Sequence, residues 1–145
     1  MCSRRNVLSL GIRGVVQLER LVQVDSQLKA IISQAVAAHG KWRYRLRMAA
    51  QSGSGIDFEE ASRDDICGVG IFLYGEGQAR YSGSDQFQVV KECHATFHRV
   101  AGQSAATVQR EGSKSLDSIF ASQSDFSIAS ANLVDALLEW ELSET

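Results

Sequence analysis

Three histidines and one cysteine are the residues of this sequence whose types and spacing are best suited to chemistry. His94 and His98 are four positions apart in a stretch with helical periodicity, so both imidazoles fall on one face of a helix. His39 lies on the apolar stripe of an earlier segment, and the chain contains three histidines in all. All three rings are therefore predicted to point into the core, where their nitrogens need partners.

Cys67 is the natural fourth member of this set. It follows two acidic residues near the start of a predicted helix, where backbone N–H groups favour a thiolate. Three imidazoles and one thiolate form a tetrahedral donor set suited to Zn²⁺, and four protein ligands leave no open position for a catalytic water. A single His-x-x-x-His pair is a weak motif, so a bundle with hydrogen-bonded core histidines and an inert cysteine is the alternative interpretation.

Helices are the elements that the sequence offers to position these four side chains. The chain contains no proline, and apolar residues recur every three or four positions. The first predicted helix ends in the loop 51–55, and its inward stripe consists of Leu21, Val24, Leu28, Ile31, Ala35, His39, Trp42 and Leu46. A second, shorter helix is predicted behind a capping-box pattern at residues 62–65 and stops at Gly75 or Gly77.

Two further helices complete the predicted architecture. One starts around Ser84 and Asp85 and ends at Gly112, and the last runs from about Asp125, with a short helical piece at 116–120 between them. The predicted fold class is all-α, a four-helix bundle with a possible extra short helix. Residues 1–15 are predicted as a flexible or helical N-terminal arm, and 16–145 as a single zinc-binding helical-bundle domain.

Composition narrows the class of protein. The chain has 145 residues, 44% of them hydrophobic and 22% charged, which is typical of one globular domain. A net charge of -2 gives no electrostatic support for nucleic-acid or anionic-membrane binding. No apolar run approaches the roughly 20 residues that span a bilayer, and no secretory signal is recognisable. Three widely spaced cysteines do not suggest a disulfide framework, so we expect a cytoplasmic protein with reduced thiols.

Three segments resemble the chemoreceptor zinc-binding (CZB) domain family of bacterial signalling proteins. Residues 38–43 are similar to the family's His-x-x-Trp-basic pattern. Residues 65–72 resemble its Cys-x-Leu-Gly-x-Trp element, with Val69 and Phe72 in place of the leucine and tryptophan. Residues 87–98 are similar to its closing His-x-x-Phe-His helix, and the resemblance covers about residues 25–110.

The resemblance implies both a ligand set and a function. The residues that match the family's Zn²⁺ ligands are His39, Cys67, His94 and His98. Family members are helical bundles that commonly pair as homodimers and regulate chemotaxis or cyclic-di-GMP signalling. They respond to zinc, or to oxidants such as hypochlorous acid through the zinc-bound cysteine. We expect no output domain within these residues and expect a chemoreceptor or diguanylate cyclase pathway to supply the partner.

The neighbours of the predicted ligands have simpler expected roles. Trp42 and Phe97 are expected to shield the site as ordinary core residues. The acidic pair Asp64 and Asp65 is expected to cap the helix of Cys67 rather than orient an imidazole. The arginines are expected to form a solvated face: Arg43, Arg45 and Arg47. Cys93 is expected to point about 100° away from His94 around the helix, and Cys2 to be free.

Three classes of function fit the sequence to different degrees. The first is a non-enzymatic zinc-binding sensory or regulatory domain. The second is an enzyme, either a zinc hydrolase that needs an open coordination position or a thiol catalyst that needs Cys67 free of metal. The third is a purely structural helical dimerisation module. A di-iron bundle is poorly supported, because no Glu-x-x-His motif occurs and three histidines are too few.

Overall fold

The all-α fold predicted from the sequence is confirmed. The structure is a computed structural model that describes residues 7–144. Its helices are α1 (Val7–Gly40), α2 (Trp42–Ser52), α3 (Phe58–Ser62), α4 (Gly68–Tyr74), α5 (Glu76–Tyr81), α6 (Asp85–Glu111), α7 (Leu116–Phe120) and α8 (Asp125–Ser143), with a 3₁₀ turn at Gly112–Ser115. The helices pack against one another as a bundle, and residues 7–144 contain no strand.

Helix α6 is the central element, since α2, α3 and α8 all pack against it. The Ser84 hydroxyl accepts a hydrogen bond from the backbone N–H of Phe87 at 3.3 Å and caps its start. Gly112, with a φ of 62°, ends it. These ends agree with the sequence prediction, as do α7 and the start of α8 at Asp125.

The single first helix predicted from the sequence is divided into α1 and α2. The division falls at Lys41, directly after Gly40, and glycine has a low helix propensity. Helix α2 ends at Gly53, whose φ of 67° and N–H bond to the Ala49 carbonyl form a left-handed cap, as expected of that loop. Helix α1 begins at Val7 and so includes part of the predicted arm. Residues 1–6, and Cys2 with them, lie outside the described residues.

The start predicted for the second helix is wrong. The Asp57 carboxylate accepts the N–H groups of Glu59 and Glu60, so a helix, α3, begins before Ser62 rather than after it. Ser62 is the last residue of α3, and its hydroxyl donates to the Phe58 carbonyl. Cys67 itself is the N-cap of the next helix, α4, because its sulfur accepts the Gly70 N–H.

Two glycines allow backbone segments near the cysteine to approach each other closely. A Cβ atom at Gly70 would lie 1.8 Å from the carbonyl oxygen of Asp64, so the loop before α4 crosses its first turn only because that side chain is absent. A Cβ atom at Gly102 would lie 2.8 Å from the Phe58 carbonyl oxygen, at the contact between α3 and α6. The first approach lies within the loop and first turn around Cys67, and the second joins α3 to the bundle.

The core is one cluster that α1, α2, α6 and α8 share. Its largest fully buried side chains are Trp140, Phe87, Phe97, Leu28, Ile32 and Leu46. Within the part of the chain that is described, no helix has both the length and the apolar character required to cross a bilayer.

Candidate metal centre

The four side chains predicted as ligands lie together in one cluster. His39 is at the end of α1, Cys67 at the start of α4, and His94 and His98 on consecutive turns of α6. Each residue offers one ligand atom, and these atoms all lie within 4.8 Å of one another. The histidines are 4%, 0% and 3% exposed, respectively, and Cys67 is half-buried. The bundle thus brings together donors from three helices.

One edge of the cluster fits a small tetrahedral ion. The Cys67 Sγ and the His94 Nε2 are 3.3 Å apart. Metal bonds of about 2.3 Å to sulfur and 2.0–2.1 Å to nitrogen, at a tetrahedral angle, separate the two donors by about 3.5 Å. The observed separation is therefore already close to one edge of a zinc-sized tetrahedron.

Backbone carbonyls fix the orientation of two of the rings. The His39 Nδ1–H donates to the carbonyl of Ala35 at 2.6 Å, and the His98 Nδ1–H donates to that of Ala61 at 2.9 Å. Each ring then turns its Nε2 lone pair toward the cluster, which is how proteins orient metal-binding imidazoles. The Nε2 of His98 is buried and has no hydrogen-bond partner among the described residues. A buried acceptor without a partner is costly, and a bound cation would satisfy it.

Burial keeps the imidazoles neutral. Desolvation lowers the pKa of His39 to about 4, against a smaller opposing effect of the Ala35 carbonyl bond. Desolvation lowers the pKa of His94 to about 3, and the neighbouring His39 and His98 also lower it. The pKa of His98 is also lowered, again mainly by burial. Neutral imidazole is the form that binds metal, so the three rings are ready to bind a metal at neutral pH.

The sulfur of Cys67 has a second role as a helix cap. Its Sγ accepts the backbone N–H of Gly70 at 3.2 Å, and Cys67 is the residue before the first turn of α4. The sequence analysis expected Cys67 inside the first or second turn. Because the sulfur belongs to the N-cap, a change at this atom affects both the cluster and the start of α4.

Two aromatic side chains enclose the cluster, as expected. The ring of Phe97 meets that of His39 edge-on at 5.0 Å between centroids. Trp42 meets His98 edge-on at 6.0 Å. Both aromatic residues are buried, so they limit the access of water to the histidines.

The capping role expected for Asp64 and Asp65 is wrong. Asp65 pairs with Arg63 at 3.0 Å, and Asp64 accepts a hydrogen bond from the Tyr74 hydroxyl. These interactions bind the loop to itself and to the end of α4, and the cap of that helix is Cys67.

The groups that the sequence analysis missed are the carbonyls of Ala35 and Ala61. Ala35 is four residues before His39, so helix geometry alone could have indicated it. Ala61 is far from His98 in sequence, and no local signal pointed to it.

Cys93 does not belong to the ligand cluster. It is half-buried, and burial raises the pKa of its thiol, with a smaller contribution from Glu92. A protonated thiol beside the cluster fits the prediction that Cys93 is a bystander.

No protein-family model, curated protein or solved structure matches this chain. The class of protein is therefore described from its fold and its site, without a known relative. The chain is an all-α helical bundle in which three histidines and one cysteine form a group that can hold a metal ion.

Proposed function

We propose that the chain is a zinc-binding sensory or regulatory domain, similar to the CZB family, and that it is not an enzyme. The observation that carries this proposal is the convergence of four ligand atoms within 4.8 Å, three of them from buried neutral imidazoles. A structural bundle with no metal would gain nothing from an unpaired acceptor such as the His98 Nε2.

Zinc is the ion that this donor set favours. Three imidazole nitrogens and one thiolate sulfur form a mixed N/S tetrahedron, which is typical of Zn²⁺. Carboxylates are absent from the cluster, and hard ions such as Mg²⁺ and Ca²⁺ need oxygen ligands. When bound, Zn²⁺ would hold Cys67 as a thiolate and join α1, α4 and α6 through one ion.

Cys67 is the residue through which we propose that the domain responds. Cys67 is half-buried, whereas the three histidines are at most 4% exposed, so Cys67 is the most accessible member of the cluster. Oxidation of the thiolate to a sulfenic acid removes the one anionic ligand and weakens the site. Loss of that bond would also disturb the start of α4, because the same sulfur caps it. Zinc loading itself is the other candidate stimulus.

The wider setting of this response follows from the resemblance to the CZB family. We infer that the domain acts in bacterial chemotaxis or cyclic-di-GMP signalling through a partner protein. We also infer a homodimer, a state that the exposed apolar side chains Val15, Val16 and Leu18 of α1 favour. A reducing cytoplasm fits the free thiols of Cys67 and Cys93.

The geometry gives less support to the enzymatic alternatives. A zinc hydrolase would need an open position on the metal and a carboxylate base beside it, whereas all four tetrahedral positions are matched here by protein donors. A thiol enzyme would need the Cys67 sulfur without metal. The 3.3 Å between this sulfur and the His94 Nε2 suits a Cys–His pair as well as a metal site, so metal at the cluster is what separates the two functions.

Metal analysis of the purified protein tests the proposal. We expect about one zinc ion per chain, released by a chelator, and a large loss of zinc in Cys67→Ser with helical content unchanged. Cys93→Ser is the matched control, since Cys93 is a half-buried thiol outside the cluster, and it should keep its zinc. Metal-free protein that gains no stability from added zinc would favour the structural dimerisation module instead.

A further inference from the structure

Cys67 is a lining residue of two clefts. The first has a volume of about 330 Å³ and lies between α4 and the junction of α1 and α2. The second, of about 410 Å³, lies between α2 and the segment that contains α3. Both volumes are in the range of small-molecule sites, which is about 300–1,000 Å³. Cys67, His98, Trp42 and Arg45 line both clefts.

The two clefts differ in charge. The first is largely apolar, with Ile31, Val69 and Phe72 among its walls. Its histidines are neutral, and Arg45 is the one arginine, lysine or carboxylate residue in its described lining. The second contains the carboxylates of Asp57 and Glu60 as well as arginines. The first cleft therefore carries a positive charge that attracts an anion, whereas the two carboxylates of the second cleft balance its two arginines, Arg45 and Arg63.

Arg45 is held in place at the first cleft. Its guanidinium lies 4.0 Å from the centroid of the Trp42 ring, and Trp42 meets the ring of His98 edge-on. A stacked guanidinium keeps its donors free at the edge of the plane, where an anion can bind. Arg43, two residues earlier, is directed elsewhere, since it donates to the Phe120 carbonyl and lies over the Phe120 ring.

We propose that the first cleft is an anion-selective route to the Cys67 sulfur, in which Arg45 attracts a small reactant that has an apolar body and a negative charge. This inference deepens the proposed function, in which Cys67 is the responding residue. The aromatic and aliphatic walls contact the apolar body, and the guanidinium contacts the anionic group. Arg45 is then a specificity-determining residue of the response.

An aromatic disulfide is a suitable probe because its reaction with the sulfur is fully defined. The Cys67 thiolate attacks one sulfur of the probe, a new S–S bond forms, and the original S–S bond breaks. The other half of the probe leaves as an aryl thiolate that carries the electron pair. No further oxidant or reductant takes part.

The experiment compares a charged with an uncharged probe on the full chain, both as purified and after chelation. The probes are 5,5′-dithiobis(2-nitrobenzoate), which is anionic, and 4,4′-dithiodipyridine, which is neutral at pH 7. Peptide mass analysis follows the labelling of Cys67 separately from that of Cys2 and Cys93. The quantity measured is the rate at which the anionic probe labels Cys67, divided by the rate at which the neutral probe labels it.

We expect Arg45→Gln to lower this ratio by about three- to ten-fold at low salt, the effect of one unit charge several ångströms away in a high-dielectric cleft. Arg45→Lys should largely restore the ratio, Arg43→Gln should leave it unchanged, and added salt should reduce it. A merely structural role for Arg45 would change both rates together and leave the ratio constant.

Three results would overturn the inference. The first is an unchanged ratio in Arg45→Gln. The second is a rise of the anionic rate in Glu60→Gln, since Glu60 lines the second cleft and not the first, and this rise would assign access to the second cleft. The third is a Cys67 that reacts with neither probe, since the first cleft then gives no access to the sulfur. The ratio is also measured on chelated protein, where it does not depend on bound zinc. Failure of zinc binding therefore leaves this test of the first cleft intact.

Discussion

Single atoms decide what the cluster can bind. The Nδ1–H groups of His39 and His98 donate to the carbonyls of Ala35 and Ala61. The Nε2 lone pairs of the two rings are therefore the ones available to a metal. The four residues of the cluster could be predicted from the sequence, because helical spacing and the three short motifs single them out. The Ala61 carbonyl could not, because it comes from a helix that contacts α6 only after folding.

At this scale we predict that His94→Ala lowers zinc affinity by more than about 100-fold, since the loss of even a supporting partner of a ligand costs about 10- to 100-fold. His94 is fully buried and its Nε2 is 3.3 Å from the cysteine sulfur, so no neighbouring group can replace it. Competition with a chromophoric chelator measures the change. Thr96→Ala, an exposed position on the same helix, is the control, and equal affinities in both variants would refute the ligand assignment.

A second prediction at the residue scale concerns oxidation. Hypochlorous acid should release zinc faster from the native protein than from Cys67→Ser reloaded with metal, because the thiolate is the oxidisable ligand. A zinc-sensitive dye follows the release. Cys93→Ser should behave like the native protein, and equal release rates in the native and Cys67→Ser proteins would show that Cys67 is not the target.

At the scale of the elements, capping decides where the cysteine lies. The pattern at residues 62–65, a serine followed by an acidic pair, predicts a helix start there. The Asp57 carboxylate begins a helix earlier, and the acidic residues at 64 and 65 bind Tyr74 and Arg63 instead. The local sequence pattern could not show that the helix starts at Asp57, because the start depends on the tertiary partners of the acidic residues.

The close approach at Gly70 leads to a prediction about this element. Gly70→Ala should displace the loop before α4, since the new Cβ would lie 1.8 Å from the Asp64 carbonyl oxygen, and backbone cannot yield as a side chain can. We expect a destabilisation of about 1–3 kcal/mol, as for overpacking, together with weaker zinc binding. Chemical denaturation and chelator competition measure the two effects.

Gly68→Ala is the matched control for this prediction. Gly68 is in the same short helix, but a Cβ atom there would meet nothing within 4 Å. The variant should keep both stability and zinc affinity. Similar losses in both variants would indicate a general effect of substitution in α4 rather than the contact with Asp64.

At the scale of the whole molecule, one ion would join parts of the chain that are distant in sequence. Helices α1, α4 and α6 contribute the residues of the cluster, while α8 packs against α1 and α6 and completes the bundle. The all-α class followed from the periodicity of apolar residues, which is strongest in long helices such as α6. The short helices α3 and α5 were missed, since a single turn carries too little periodicity to be recognised.

Metal removal should therefore lower the stability of the whole bundle. At a free zinc concentration about 1,000 times the dissociation constant, binding contributes about 4.1 kcal/mol. For a chain of this size that corresponds to a fall in the melting temperature of about 8–16 °C on chelation. Thermal unfolding followed by circular dichroism measures it. Chelation of Cys67→Ser should lower its melting temperature much less. Identical melting curves of the native protein with and without zinc would contradict the prediction.

X-ray absorption at the zinc edge of the metal-loaded protein tests the central claim most directly, because it counts the donors around the ion. The account predicts a four-coordinate site with one sulfur at about 2.3 Å and three nitrogens at about 2.0–2.1 Å. A shell without sulfur would exclude Cys67 as a ligand, and two sulfurs would require a second cysteine at the metal. Either result would contradict the site formed by His39, Cys67, His94 and His98.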